Sequence, residues 1–380
     1  VTLPSKTLIN TTQPTELHSI IQRVNALLHN AVLRNASDIH LEPYGTLYRI
    51  RYRQDGILYV ITEEPLEVAI RLITRLKILS NLDISERRLP QDGRFQWNVT
   101  HTKIIDFRIN TCPLMHGEKV VLRLLDSTRF SLHVDALGFT PSQQDCFLKC
   151  IHRAQGLILA TGPTGSGKTM TLYTALQQLN TPSRNCSSVE DPVEMYLPGI
   201  NQVQINPKAG LHFANVLRAF LRQDPDVIMI GEIRDLETAE IAMKAAQTGH
   251  LVLSTLHTNS AIDTLTRLMQ MGIPPFQIVH AISLIIAQRL VRKLCMHCKK
   301  REGEHMIAVG CTECTGGYYE RIALFEIINM TPHIAKQIIQ NPYDLNTLTT
   351  ENEFIPLYQQ GRIAVKNGLT TLEEIQRVLG

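Results

Sequence analysis

Gly162-Pro163-Thr164-Gly165-Ser166-Gly167-Lys168-Thr169 is the stretch from which the rest of the chain is read. It fits G-x-x-x-x-G-K-[ST] at every defined position, the pattern of a phosphate-binding P-loop. Leu157-Ile158-Leu159-Ala160 before it reads as a short buried strand, and Met170 to Leu179 after it as a helix without a breaker. Three glycines let the backbone turn tightly, so that successive N–H groups face one anion site at the start of that helix. Lys168 is then placed to reach the outer phosphates of a nucleotide, and the Thr169 hydroxyl to hold Mg²⁺. A glycine-rich turn that binds nothing is the alternative, and the flanking strand and helix argue against it.

Downstream, Ser188-Val189-Glu190-Asp191-Pro192-Val193-Glu194 sets three carboxylates after a short strand. Val227-Ile228-Met229-Ile230 is a fully apolar strand that runs into Gly231-Glu232. A carboxylate at the end of such a strand, beside a P-loop, stands where a water-activating base is needed. Leu251 to Leu256 is the next buried strand, with His250 before it and His257 after it. Helical stretches over Ala214 to Arg222 and Leu236 to Thr248 alternate with these strands, which predicts an α/β fold with a doubly wound, mainly parallel sheet. Nucleotide sites in such sheets lie at the carboxyl ends of the strands. The P-loop, Glu190, Glu232 and His257 are all expected at that end.

Further on, Cys295-Met296-His297-Cys298 and Cys311-Thr312-Glu313-Cys314 are separated by twelve residues. Two C-x-x-C pairs in polar, turn-prone sequence are the pattern of a tetrahedral Cys₄ zinc element, and four thiolates leave no open position for catalysis. The expected metal is therefore structural Zn²⁺ on Cys295, Cys298, Cys311 and Cys314, with His297 a possible substitute for one ligand. Cys146 and Cys150, at i and i+4 of a helix starting at Pro141, read as core packing. The stretch from Ile334 onward is helical and shows no further chemistry.

Upstream, residues 1–15 read as a loose lead-in containing Pro4 and Pro14. Apolar residues from Leu17 to Ala31 repeat at helical spacing. Strands are expected at Ser37 to Glu42, at Tyr48 to Tyr52 and Ile57 to Ile61 around an Asp55-Gly56 hairpin turn, and at Phe95 to Val99, Lys103 to Asn110 and Lys119 to Leu125. With a helix from Leu66 to Ser80 they make an α+β domain over 16–126. Arg94 is carried onto a strand edge by the turn-rich Leu89-Pro90-Gln91-Asp92-Gly93, and Arg108 lies on a strand expected to pair with it. An arginine fork suits phosphate oxygens, although on residues alone surface ion pairs are the ordinary reading of both. Residues 127–140 read as a linker, 141–290 as the nucleotide-binding domain, 291–325 as the cysteine element and 326–380 as a helical subdomain.

The chain's 380 residues exceed one ordinary core. A net charge of +3 is too small to argue for nucleic acid, and no basic, aromatic-interleaved stretch is present. No apolar run approaches the ~20 residues of a membrane span, and residues 1–30 show no signal-peptide core. Eight cysteines, four in C-x-x-C pairs, point to a reducing compartment and a metal. Cytoplasmic is the expected location.

From about Ala36 to Gly380 the chain resembles the type II secretion and type IV pilus assembly ATPases, RecA-like hexameric motors. Glu190-Asp191-Pro192-Val193-Glu194 resembles the acidic box of that family. Leu221-Arg222-Gln223-Asp224-Pro225-Asp226 with Gly231-Glu232-Ile233-Arg234-Asp235 resembles its second nucleotide motif. Thr248-Gly249-His250 through His257-Thr258-Asn259 resembles its histidine box. Lys244 to His250 and His257 to Ala261 look more like the pilus-assembly members, and the Cys₄ element argues against the similar retraction motors. The resemblance implies ATP as substrate with Mg²⁺, Glu232 as the catalytic glutamate, Glu190 assisting, His250 and His257 in the site, and Arg94 and Arg108 as arginine fingers on a PAS-like domain. It further implies a homohexamer, peripheral at the inner membrane through a platform partner, with no nucleic acid as partner. Two departures stand out: no segment here is long enough for the family's additional N-terminal docking domain, and the spacer between cysteine pairs is shorter than usual. The rivals are the type II secretion motor, a RecA-like nucleic-acid translocase, and a scaffold that binds nucleotide without hydrolysing it.

Overall fold

The computed structural model describes residues 16–100, 103–126, 131–345 and 354–380. The lead-in 1–15 and residues 127–130 of the linker reading therefore lie outside the described residues. The chain divides into two compact units, residues 1–129 and 130–380.

In the first unit, α1 (Glu16–Leu33) precedes β1 (Asp38–Tyr44), β2 (Leu47–Gln54) and β3 (Ile57–Pro65). Then come α2 (Leu66–Leu79), β4 (Gln91–Asn98), β5 (Ile104–Leu114) and β6 (Gly117–Leu125). The strands form one antiparallel sheet in the order β3-β2-β1-β6-β5-β4. Strand side chains alternate between faces, so Ile39, Leu41, Ile50, Tyr52, Phe107 and Leu122 all reach one core with Val24 and Leu28 of α1 and Leu72 and Leu76 of α2. Phe95 and Phe107 stack there at 5.1 Å between ring centroids. Arg94 and Arg108, each one residue out of phase with those rings, take the other face. They are direct cross-strand partners, and Arg108 in turn faces Arg123. Arg123 Nε pairs with Asp38 at 3.0 Å.

The second unit holds α3 (Pro141–Ile151), β7 (Gly156–Thr161), α4 (Lys168–Leu179), β8 (Cys186–Glu190), β9 (Asn201–Gln204), α5 (Phe213–Phe220), β10 (Val227–Ile230), α6 (Leu236–Gln247) and β11 (Leu251–Leu256). It continues with α7 (Ala261–Gln270), α8 (Pro275–Ala281), β12 (Ile282–Leu294), β13 (Lys300–Glu302), β14 (His305–Ile307), β15 (Tyr318–Asn329), α9 (Pro332–Gln340), α10 (Leu357–Lys366) and α11 (Leu372–Leu379). Seven strands lie in the order β15-β12-β7-β11-β10-β8-β9. Every neighbour pair is parallel except β12 with β15.

The sheet is covered on both faces, which is why its strands read as continuous apolar runs. Along β7, Ile158 and Ala160 pack with Leu172 and Leu176 of α4. Leu157 and Leu159 pack on the opposite face with Ala242 and Met243 of α6 and Leu265 of α7.

β12 runs through position 290, where the sequence reading ends the nucleotide-binding domain, and β15 returns alongside it. The cysteine element is thus inserted between two strands of the main sheet. Just ahead of the element, β12 is fastened by Glu374 of α11, whose fully buried carboxylate accepts from the backbone N–H, Nε and Nη2 of Arg292 and from Arg377.

Candidate active site

The phosphate cradle forms where β7 leaves the sheet. Gly162, Gly165 and Gly167 have φ of 146°, 80° and 94°, values that side chains strain to adopt. Space is short as well: a Cβ on Gly162 would lie 2.6 Å from the backbone carbonyl oxygen of Gln288, and one on Gly167 would have to displace Gln288 Nε2 from 2.5 Å. Gly167 caps α4 without a side-chain acceptor, which leaves the first N–H groups of that helix for an anion. Ser166 Oγ is buried with no hydrogen-bond partner among the described residues. A glycine cradle, open helix amides and an orphaned hydroxyl together fit a nucleotide phosphate.

Lys168 Nζ donates to the carbonyls of Gly162 at 2.6 Å and Pro163 at 3.0 Å, so it already points back across the loop. Burial lowers its pKa to about 8, with Glu232 pulling it up and Arg289 down. Thr169 follows in the first turn of α4, where a hydroxyl could hold Mg²⁺.

Glu232 stands just past the carboxyl end of β10, its side chain 15% exposed. One oxygen pairs with Arg234 Nη2, and the other lies 3.4 Å from Nε2 of His257. His257 follows β11 directly, and burial and the Lys168 charge hold it below the usual histidine range despite Glu232. A carboxylate, a neutral imidazole and an ammonium therefore converge at the carboxyl ends of β7, β10 and β11.

Two expected residues stand differently. Glu190 is at the carboxyl end of β8, but its carboxylate is buried and turned inward. It accepts from the Tyr173 hydroxyl, from Ser188 Oγ at 2.6 Å and from Gln202 Nε2 at 3.2 Å. It therefore ties the acidic loop to α4. His250 is not brought to the site: it precedes β11 at the amino end of the sheet, where its carbonyl takes the N–H of Gly156. Six strand residues, about 20 Å, separate it from His257. Its ring nitrogen meets the Ala245 carbonyl at 3.0 Å, closing the end of α6.

Arg94 and Arg108 belong to the first unit, on the sheet face described above. The sequence reading also missed Gln288, which packs behind the cradle from β12, and Arg289, which follows it and holds Asn259. The signal was an amide and a cation ending the largely apolar run from Ile282 to Ala287.

The four expected cysteines do converge. Their Sγ atoms all lie within 4.8 Å of one another, with Cys295–Cys311 at 3.9 Å and Cys298–Cys314 and Cys311–Cys314 at 3.6 Å. A tetrahedron of sulfurs about 2.3 Å from zinc has edges of about 3.8 Å, so the set fits that ion. Amides of Gly310 and Cys311 point at two of the sulfurs, each at 3.3 Å. His297 is not in the group. Among the described residues, no helix is long and apolar enough to cross a membrane.

Comparison with known proteins agrees with this geometry. Residues 13–377 match the family described as type II/IV secretion system protein. The type IV pilus assembly ATPase PilB of Pseudomonas aeruginosa is 49% identical over 380 residues, covering 94% of this chain and 67% of that protein. The type II secretion system protein E of the same organism is 44% identical, covering 94% of this chain and 75% of that one. Among solved structures, the pilus retraction motor PilT with bound ADP superposes with a TM-score of 0.65 at 28% identity, over 93% of this chain and 96% of that one. The chain spans about two thirds of PilB. With a P-loop, a strand-end glutamate and a histidine meeting on a RecA-like sheet, this chain belongs to the type II/IV secretion system protein family and is an ATPase.

Proposed function

We propose that the chain is the motor of a type IV pilus assembly machine, a Mg²⁺-dependent homohexamer at the cytoplasmic face of the inner membrane. The supporting observation is the higher identity to the pilus-assembly ATPase than to the secretion ATPase of one organism, 49% against 44%. In phosphoryl transfer the protein mainly positions groups and stabilises charge. Lys168 and the loop amides would hold the phosphates, and the Thr169 hydroxyl would hold Mg²⁺, which would supply positive charge against the phosphate oxygens. Glu232 orients the attacking water, with His257 fixing the carboxylate. Arg94 and Arg108 act as arginine fingers. Glu190 acts at one remove, by holding the acidic loop. Zn²⁺ on the four cysteines is structural, and the motor reaches the membrane through an inner-membrane platform protein.

The type II secretion motor is the second reading, on the strength of that 44% relative. Expression in one host lacking its pilus-assembly ATPase and in another lacking its secretion ATPase separates the two. Piliation restored without secretion is the expected result, and the reverse would overturn it. ATP turnover that is unchanged by added DNA is expected of either motor and not of a translocase.

A further inference from the structure

We infer that Gln288 and Arg289 form a two-residue coupling element that carries the state of the P-loop to the loop bearing His257. The inference rests on the ATPase reading and adds two positioning residues to it.

β12 is longer than β7. The two run in parallel register up to Ala287 opposite Thr161. There β7 ends and the P-loop turns away, while β12 continues beside it. Gln288 is the first residue past that point. Its carbonyl oxygen lies 2.6 Å from where a Cβ of Gly162 would stand, and its Nε2 approaches Gly167 as closely as described above. Its Oε1 accepts from Thr171 Oγ1 at 2.8 Å, with both side chains buried. One residue thus touches both ends of the cradle, Gly162 through its backbone carbonyl and Gly167 through its side-chain amide, and that amide also holds the first turn of the helix behind them.

Successive strand residues point to opposite faces of a sheet. Leu284 and Ile286 pack on the α4 side, and Gln288 extends that row. Ile285 and Ala287 pack on the α7 side, and Arg289 extends the other. The buried Arg289 guanidinium ties β12 to the loop that follows β11. Its Nη1 donates to the Gln288 carbonyl at 3.0 Å, and its Nη2 to the carbonyl and side-chain oxygen of Asn259 at 2.8 and 3.2 Å. Asn259 is two residues from His257. Any shift of the cradle that moves Gln288 therefore moves the carbonyl that Arg289 holds, and with it the segment that places the imidazole against Glu232. A lysine in place of Arg289 keeps the charge and loses the fork that makes both contacts.

The test uses the full chain, with Mg²⁺–ATPγS as the bound nucleotide and amide hydrogen exchange as the first readout. In the parent, nucleotide should slow exchange over residues 256–261 by about tenfold or more. In Thr171→Val, in the similarly sized Gln288→Met and in Arg289→Lys, nucleotide should still bind within about threefold of the parent while that slowing falls below about twofold. Thr171→Ser keeps the hydroxyl and should restore the slowing. The second readout is turnover: kcat should fall about tenfold with little change in KM, and Gln288→Met with Arg289→Lys should lose no more than the worse single variant. Multiplying losses would mean that the two act independently, and slowing that survives Gln288→Met and Thr171→Val would mean that the P-loop signal takes another route. Either result overturns the inference. A parent that turns over ATP without slowing at 256–261 overturns it alone, whereas a parent that binds no nucleotide overturns the ATPase reading as well.

Discussion

Glu232 and His257 are set Oε2 to Nε2 at 3.4 Å, while Arg234 occupies the other carboxylate oxygen. The carboxylate thus has a fixed direction before any water reaches it, and a neutral imidazole holds it there.

Lys168→Ala should abolish productive ATP binding, whereas Glu232→Gln should bind ATP and lose turnover by a factor on the order of 10²–10⁴. Equilibrium binding of a fluorescent nucleotide and steady-state hydrolysis check the pair. Because burial and the Lys168 charge hold His257 below the usual histidine range, it gains its proton only on acidification. Turnover should therefore fall on the acid side, and His257→Gln should flatten that fall.

Nucleotide affinity should weaken on the alkaline side. Burial sets Lys168 near pH 8 in the free protein, and a bound phosphate favours its charged form. Protonated Lys168 binds, so affinity is full well below pH 8 and is lost as pH rises through it. Between pH 8 and 9 the protonated fraction falls from about one half to about one eleventh, so the Kd for ATP should rise about fivefold. Titrations at constant ionic strength measure it, and a flat Kd over that range would contradict the assignment.

Elemental analysis of protein purified without chelator should find one zinc per chain. Substituting Cys311 and Cys314 by serine should remove it and lower the melting temperature, since metal binding and local folding are coupled. The loss should reach past the element itself, because it is inserted between β12 and β15.

Arg94→Ala and Arg108→Ala should each lower kcat, by up to the ~10³–10⁵ that arginine fingers contribute. Neither should cost much stability through the contact between the two, because like charges directly opposite on a sheet repel. Arg94, Arg108 and Arg123 form such a row across β4, β5 and β6. Measuring kcat and melting temperature on the same preparations decides it: unchanged turnover with lower melting would make them ordinary surface pairs.

Most of the fold was legible because burial on both faces imposes continuous apolar runs, as in β7, β10 and β11, and the glycines between β7 and α4 have few other uses. The Asp55-Gly56 hairpin, the pairing of Arg94 with Arg108 and the cysteine set followed from local spacing. What escaped depended on partners far along the chain. Glu190 reads as a free carboxylate in Ser188-Val189-Glu190-Asp191, yet its donors include Tyr173 on α4 and Gln202 on β9. His250 sits in the same motif as His257, and only the length of β11 shows that they lie at opposite ends of the sheet. Gln288 and Arg289 look like the fraying end of an apolar strand until β7 is seen to stop one residue earlier. β12 itself has no counterpart in the sequence reading, and no local signal says that a strand continues beyond its neighbour.

That overhang has a mechanical consequence. From Gln288 to Leu294, β12 reaches about 20 Å past the phosphate cradle before giving way to Cys295. Along this reach it is laddered to β15, and at its tip Arg292 is clamped by Glu374. A strand braced in this way resists stretching and shear much as a plank does. A push on the cysteine knuckle is therefore delivered lengthwise to the residue that seats the P-loop.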